Sequence, residues 1–334
     1  MCLNRLTLPS SEQEIIDNWL YVDKVYVSVI CIAYNQELYI ADAIESFLAQ
    51  KTNFSFEIVI HDDFSTDKTR EILLSYKERF PSIINLVFQD ENQYSKGKKI
   101  TPLAVKHAQG EYIALCEGDD FWVDSFKIQK QVTCLLADKS LSLVHTGSYD
   151  LVENVGKMTV SVVPSPVNTT KSLFNRNRIR TLTTMFPKKH FDEFFLNNET
   201  EASKWLLGDW PLWIYFSTVG KIAYIPDATS VYRILSESAS NFTCNKKKEE
   251  FLKSTLHMRL YMHDKYLSGT SYLREIFNSY AKETLFHGAS FPQEHIYKLS
   301  FLYKSLIFLN KIGLIRSLLQ LRVWLRRCAV YLCG

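Results

Sequence analysis

The sequence predicts an α/β protein: a mixed, mostly parallel central sheet flanked by helices, with a helical C-terminal extension. Three observations carry this. Between residues 25 and 150, short β-branched runs alternate with segments of helical periodicity. The first of these, residues 25–33, is a continuous β-branched run, as in a strand of a parallel sheet covered on both faces. After about residue 243 the pattern turns helical. With 334 residues, 46% apolar and 22% charged, the chain has interior enough for one large domain or two medium ones. An aromatic content of 13% at this hydrophobicity excludes intrinsic disorder.

Residues 25–33 (VYVSVICIA) form the first strand, and Ile40, Ile44, Phe47 and Leu48 then recur at helical spacing. Residues 56–60 are the second strand, ending in His61-Asp62-Asp63. A helix from about Asp67 carries Ile72, Leu73, Tyr76 and Phe80 on one face until Pro81 closes it. Residues 83–88 are a third strand, and 101–108 a short helix stopped at Gly110. Residues 111–116 (EYIALC) run as a fourth strand into Glu117-Gly118-Asp119-Asp120. A helix over 124–137 and an apolar run over 141–149 complete the alternation. Residues 151–240 are less regular: Pro164-Ser165-Pro166 marks a loop and 181–186 reads as a strand. Two short strands, 221–225 and 229–234, flank Pro226-Asp227. Breaks in the helical region are expected near Gly269, residues 288–292 and Gly313.

Composition narrows the function. The 11 glycines are spread so that no two lie closer than eight positions, which excludes both a G-x-G-x-x-G fingerprint and a Walker A loop. A nucleotide must therefore be held by side chains or a metal. The seven cysteines lack C-x-x-C spacing, and Cys31 and Cys116 sit in apolar strands, so they read as structural thiols of a reducing compartment rather than zinc ligands. The first residues are polar and acidic, so no signal peptide is expected, and no apolar run reaches the ~18 residues of a transmembrane helix. The expected location is cytoplasmic.

Ligands of parallel sheets bind at the carboxyl ends of the strands, where both acidic pairs fall. Adjacent carboxylates such as Asp119-Asp120 repel unless a cation relieves them. A hard ion, Mn2+ or Mg2+, held by one or two carboxylates and phosphate oxygens fits that pattern; the plain alternative is a solvated acidic turn. Asp63 is placed to accept a hydrogen bond from a base N–H, while Asp62 reads as structural and Ser65, Thr66 and Asp67 as caps of the next helix. Tyr34, at the end of the first strand, is placed to stack on a ligand ring.

Together these motifs, VSVICIAYN, Gln50, EIVIHDDFSTDKT and GEYIALCEGDD, resemble the N-terminal signature of inverting nucleotide-sugar glycosyltransferases of family 2. GDDFWVDSFKIQKQV and GDWPLWIYFSTVGKIAYIPDATSVYRI are similar to a bacterial subgroup that builds surface polysaccharides. The resemblance covers about residues 25–240. It implies a single GT-A domain there, with a nucleotide-sugar half (25–123) and an acceptor half (124–240). Residues 1–24 are then an N-terminal extension and 241–334 a helical region. It further implies that Tyr34 packs on the nucleobase, Asp63 hydrogen-bonds it, and Asp119 approaches the ribose or metal. Asp120 binds the metal that bridges the diphosphate, and Asp209 is the catalytic base. From the residues alone Asp209 reads as a helix N-cap, with Pro211 in the first turn. The implied donor is a nucleotide-diphospho sugar, UDP-linked, and the acceptor a saccharide hydroxyl on a lipid carrier.

The chain departs from the subgroup after Tyr232-Arg233-Ile234, where Leu235 stands in place of a histidine. Arg233, with Ser236 or Ser238, is the candidate to substitute in diphosphate binding. Lys96, Lys98 and Lys99 either meet the donor phosphates or form a solvated basic loop. His61 and His145 read as strand-end polar groups. The last 40 residues carry +7 against +3 for the whole chain, leaving about −4 for the first 294. The tail, 298–334, alternates large apolar residues with Lys and Arg around Trp324, as an interfacial helix on an anionic inner leaflet does; the alternative is a helix packed on this domain or a partner. No nucleic-acid partner is expected. A sugar-nucleotide pyrophosphorylase lacks support because its glycine-rich loop is missing. A catalytically inactive relative serving as a binding or assembly subunit at the membrane is the remaining alternative.

Overall fold

The computed structural model describes residues 5–154, 157–163, 169–235, 245–269 and 272–287. The chain forms two compact units. The first comprises Met1–Leu173, Asn177–Lys204 and Gly208–Ser238; the second comprises Phe174–Arg176, Trp205–Leu207 and Ala239–Gly334.

A short helix, α1 (Glu12–Ile16), is capped by the Ser11 hydroxyl. The N-terminal extension is packed onto the sheet. Ile15 is buried, Trp19 meets Phe56 edge-on at 5.6 Å, and the Glu12 carboxylate accepts the Ser82 and Ile83 N–H groups. Then come β1 (Val27–Ala33), α2 (Ile40–Leu48), β2 (Phe56–Asp62), α3 (Thr69–Arg79), β3 (Ile84–Phe88), α4 (Ile100–Val105) and β4 (Tyr112–Leu115), the predicted alternation. The second half holds β5 (Phe121–Trp122), α5 (Lys127–Ala137), β6 (Leu141–Asn154), β7 (Lys157–Val163), α6 (Thr170–Asn175), β8 (Thr184–Pro187), α7 (Lys188–Ala202), α8 (Asp209–Val219) and β9 (Lys221–Ile234).

The strands order as β3-β2-β1-β4-β8-β6-β9-β5, with β7 on β6. The pairs β1·β2, β2·β3, β1·β4 and β6·β9 are parallel, while β8, β5 and β7 run against their neighbours. The sheet is therefore mixed and mostly parallel, as the sequence predicts. β1 and β2 are buried along almost their whole length, which explains why they are mainly apolar, and their buried polar pair, Ser28 and Glu57, hydrogen-bond each other at 2.6 Å. Their register, Val27↔Phe56 to Ala33↔Asp62, brings both carboxyl ends to one edge. The Gly118 N–H bonds the Ile32 carbonyl at 3.0 Å, which carries the β4 line to that edge.

Gly110, just before β4, has no room for a side chain: a Cβ would lie 2.4 Å from the Ser28 backbone nitrogen. Backbone cannot yield as a flexible side chain can. Gly110→Ala is expected to destabilise the protein by about 1–3 kcal/mol, read as a lower urea midpoint at unchanged slope.

Three expectations are corrected. Residues 181–183 are a 3-10 turn and the strand starts at Thr184. The two short strands around Pro226 are one strand, β9, whose register against β6 jumps from Thr146↔Ile225 to Gly147↔Ala228. Pro226 has no N–H to give the ladder, so the chain bulges there and continues. The irregular stretch after 150 in part continues β6 and returns as β7. The C-terminal unit holds α9 (Asn245–Leu267) and α10 (Leu273–His287), separated near Gly269 as expected; Gly269 has φ +146°. The breaks at 288–292 and Gly313, and the basic tail 298–334, lie outside the described residues.

Candidate active site

The rim of the site is built by two loops held together. After β1 the Asn35 N–H donates to Ser65 Oγ at 2.9 Å, and Asn35 Oδ1 accepts the Thr66 N–H at 2.8 Å. The Gln36 N–H donates to Thr69 Oγ1, and the Glu37 N–H to Asp67 Oδ2. Asn35 (φ +50°) and Phe64 (φ +70°) take the left-handed turn that bends the chain away from each strand. Ser65 and Thr66 therefore bind the neighbouring loop rather than capping α3; of the three expected caps only Asp67 bonds its helix start, through the Thr69 N–H at 2.9 Å.

Tyr34 stands on this rim and is 47% exposed. Asp63 sits at the expected strand end but is buried, and its two oxygens accept the Gln93 and Tyr94 N–H groups at 2.8 and 3.0 Å. Its carboxylate thus fixes the loop after β3. Asp62 is structural, as read: it is fully buried and ion-paired with Arg70. His61 is a buried strand-end group, pushed down by burial and 3.0 Å from the Gln89 amide.

Beyond β4 the chain turns through Glu117, Asp119 and Asp120 with little water to solvate them. Burial raises Asp119, and burial together with Asp119 and Glu117 pushes Asp120 well above the usual carboxylate range. Burial and the Asp119 charge push Glu117 up to about 7. A 2.8 Å bond from the Arg233 N–H to Asp120 Oδ1 is too little to offset this. The sequence reading counted two carboxylates here. Glu117 is the third, in plain view in the same string but set apart by glycine.

Asp209 is the first residue of α8; Gly208 occupies the cap, which corrects the N-cap reading. Its carboxylate accepts the Asn177 amide at 2.8 Å, and burial raises its pKa. Its charge is felt by Glu117 and by Lys99, whose pKa burial lowers and Asp209 partly restores. The start of α8 is thus electrostatically coupled to the acidic turn after β4. Of the three lysines near the third strand, Lys99 takes part in this, while Lys96 is exposed and paired with Glu91. No sequence signal marked Asn177, which the fold alone delivers to Asp209.

Arg233, the candidate for diphosphate binding, lies inside the fold. Its side chain is 2% exposed, and its guanidinium lies 4.9 Å from the Tyr39 ring and 4.7 Å from the Phe121 ring. Nη2 donates to Asp42 at 2.5 Å and Nη1 to the Asp119 carbonyl at 2.7 Å. It braces the acidic turn through the Asp119 carbonyl and, by its backbone N–H, the Asp120 carboxylate.

Among the described residues no three His, Cys, Asp or Glu side chains converge on a ready-made metal shell. The donor set nonetheless fits a hard divalent cation. Several carboxylates crowd together with their ionisation suppressed, and Mg2+-type ions take one or two carboxylates and complete their shell with phosphate and water.

A model described as glycosyl transferase family 2 matches residues 28–193. An Escherichia coli protein, UDP-Glc:alpha-D-GlcNAc-diphosphoundecaprenol beta-1,3-glucosyltransferase WfgD, is 30% identical over 234 residues, covering 68% of this chain and 83% of that one. The chain belongs to glycosyl transferase family 2. An uncharacterized protein of Mycobacterium tuberculosis is 32% identical over 215 residues, 62% of this chain; the match spans only 58% of that relative's length. In fold, this family 2 member is similar to S. aureus TarS 1-349, solved with UDP-GlcNAc, at TM-score 0.54, 15% identity and coverage of 91% and 92%. It is also similar to the mannosyltransferase PcManGT from Pyrobaculum calidifontis, solved with GDP-Man and Mn2+, at TM-score 0.50, 14% identity and coverage of 96% and 92%. The fold is that of the GT-A glycosyltransferases.

Proposed function

We propose that this chain is an inverting, divalent-cation-dependent glycosyltransferase. It moves a sugar from a UDP-sugar to a hydroxyl of a lipid-linked saccharide in bacterial surface-polysaccharide synthesis. The observation that carries this is the acidic turn Glu117–Asp120 at the sheet's carboxyl edge, coupled to a fourth carboxylate, Asp209, on a helix start. The donor and acceptor classes are supported by the activity for which the relative WfgD is named.

In this reading Tyr34 stacks on the nucleobase, and Asp63 meets it with a lone pair left over from the loop it fixes. Asp119 and Asp120 hold Mn2+ or Mg2+, which when bound supplies charge neutralisation for the departing nucleoside diphosphate. Arg233 keeps Asp120 oriented through its N–H. Asp209 takes the proton of the attacking hydroxyl, and its raised pKa makes it a stronger base than an exposed carboxylate. Lys99 adds positive charge beside Asp209. Attack on the anomeric carbon opposite the leaving group inverts its configuration.

Among the described residues no helix is long and apolar enough to cross a membrane. A lipid-linked acceptor and the +7 of residues 298–334 support a peripheral position on the inner face of the cytoplasmic membrane. The test is release of nucleoside diphosphate across a panel of nucleotide sugars with Mn2+ or Mg2+. Turnover with one UDP-sugar, abolished by chelation, is expected. No metal-dependent turnover and no nucleotide binding would overturn the reading.

A further inference from the structure

Arg233 is a buried cation set among three acids, and which of them holds its charge decides what the other two can do. Asp42, in the first turn of α2, is 11% exposed in its side chain and receives two cations: Arg5 on Oδ1 and the Arg233 guanidinium on Oδ2. The guanidinium is clasped there between the Tyr39 and Phe121 rings. Its other terminal nitrogen reaches the acidic turn through the Asp119 carbonyl, and its charge is felt by the Asp119 and Asp120 carboxylates. The Arg233 backbone N–H, by contrast, is on the Asp120 carboxylate. The side chain and the main chain of one residue thus serve two carboxylates 78 positions apart in the sequence, Asp42 and Asp120.

We propose that Asp42 is a positioning residue for the cation-binding turn. By taking up the charge of Arg233, it leaves the Asp119 and Asp120 carboxylates available to a divalent cation. This rests on the reading of Asp119 and Asp120 as cation ligands given above. A buried guanidinium that loses a carboxylate leans on the others within reach, and among the described residues the Asp119 and Asp120 carboxylates already feel its charge. Without the Asp42 charge, Arg233 becomes an internal competitor of the metal.

Mn2+ titration followed by electron paramagnetic resonance of the free ion, in the presence of UDP, tests this without reading activity. Asp42→Asn is expected to weaken Mn2+ binding by about 10- to 100-fold, the range seen when groups that orient metal ligands are removed. Asp42→Glu keeps the charge and is expected to bind Mn2+ as the wild type does. Arg5 is mostly exposed, so Arg5→Ala is expected to leave Mn2+ binding unchanged.

The deciding variant is Asp42→Asn with Arg233→Met, which removes the competitor along with its keeper and recovers most of the lost affinity. A role confined to stability moves the thermal midpoint but predicts no such recovery. Equal Mn2+ affinity in wild type and Asp42→Asn, or a folded double variant that binds as weakly as the single one, overturns the inference. If Asp42→Asn does not fold, the double variant decides: wild-type-like binding supports the proposal and weak binding overturns it. A wild type that binds UDP but no Mn2+ or Mg2+ overturns the metal reading itself, and this inference with it.

Discussion

Asp209→Asn is expected to lower sugar transfer by about 10²- to 10⁴-fold, the contribution of a positioned general base, with little change in donor binding. The amide has the size of the carboxylate, and its oxygen can still accept the Asn177 amide that now lies 2.8 Å from Oδ2. Helix α8 keeps its Gly208 cap and its buried face of Trp210, Leu212, Trp213 and Phe216, so the scaffold is undisturbed. What disappears is the proton acceptor.

The pH profile adds a sign that loss of structure does not reproduce. Burial raises the Asp209 pKa above the ordinary carboxylate value, so wild-type kcat/KM rises with pH through that higher value as the base ionises. The Asn variant loses this limb. Stability runs the opposite way. In the window between the unfolded and folded pKa values the native state holds a proton that the unfolded state has lost, so wild-type stability falls as pH rises through it. Asp209→Asn lacks that term, so an inactive protein that gains on the wild type towards neutral pH is the expected outcome. A variant as active as wild type would remove Asp209 from the base role.

The parts of the fold readable in advance were those governed by local periodicity. β1, β2 and β4 are mainly apolar because both faces are covered, and the acidic residues that follow them, Asp63 and Asp119-Asp120, were visible for the same reason. β9 was misread at Pro226, because a missing N–H normally ends a strand, and only pairing with β6 on the far side restores the ladder. The surroundings of Arg233 are hidden for a related reason. A charged residue at a strand end suggests a solvent-facing ligand group, and nothing near it in the chain announces Asp42 and Tyr39 as its companions. Asn177 follows a short helix in an irregular stretch and meets Asp209 through tertiary packing alone. Glu117 was legible and undervalued: burial, which no motif records, is what turns it from a turn residue into a carboxyl ionising near 7.

Lys127 makes the second large prediction. Replacing it with Met is expected to flatten the pH dependence of stability above neutrality. The side chain is fully buried beside the acidic turn. Its ammonium donates to Gln131 Oε1 at 2.8 Å and lies 4.2 Å from the centre of the Trp122 ring. Gln131 in turn holds the Val144 and Thr183 carbonyls, and the Trp122 indole holds that of Leu182. Lys127 thus sits at the junction of α5, β5 and β6, within electrostatic reach of Cys116, the residue before the acidic turn. Burial lowers its pKa to about 7, against only a weak pull upward from Cys116 and Asp124. From about 7 up to the unfolded value near 10.5 the unfolded chain binds a proton that the native protein does not. Stability attributable to this residue therefore rises with pH, by up to about 1.4 kcal/mol per pH unit. The buried thiols Cys31 and Cys116, held up by burial, oppose this once cysteines of the unfolded chain ionise near pH 8.5, so the clean window is pH 7 to 8.5. Over it the wild type is expected to gain about 2 kcal/mol relative to Lys127→Met in urea unfolding, and several kcal/mol over the full range. Met fills the channel but leaves Gln131 Oε1 without its donor, at a cost of about 1–3 kcal/mol that does not vary with pH. The difference in slope is therefore the readout, not the midpoint at any one pH. Parallel profiles for the two proteins would show that Lys127 keeps its proton inside the fold, with the Trp122 ring and Gln131 sufficient to hold the charge.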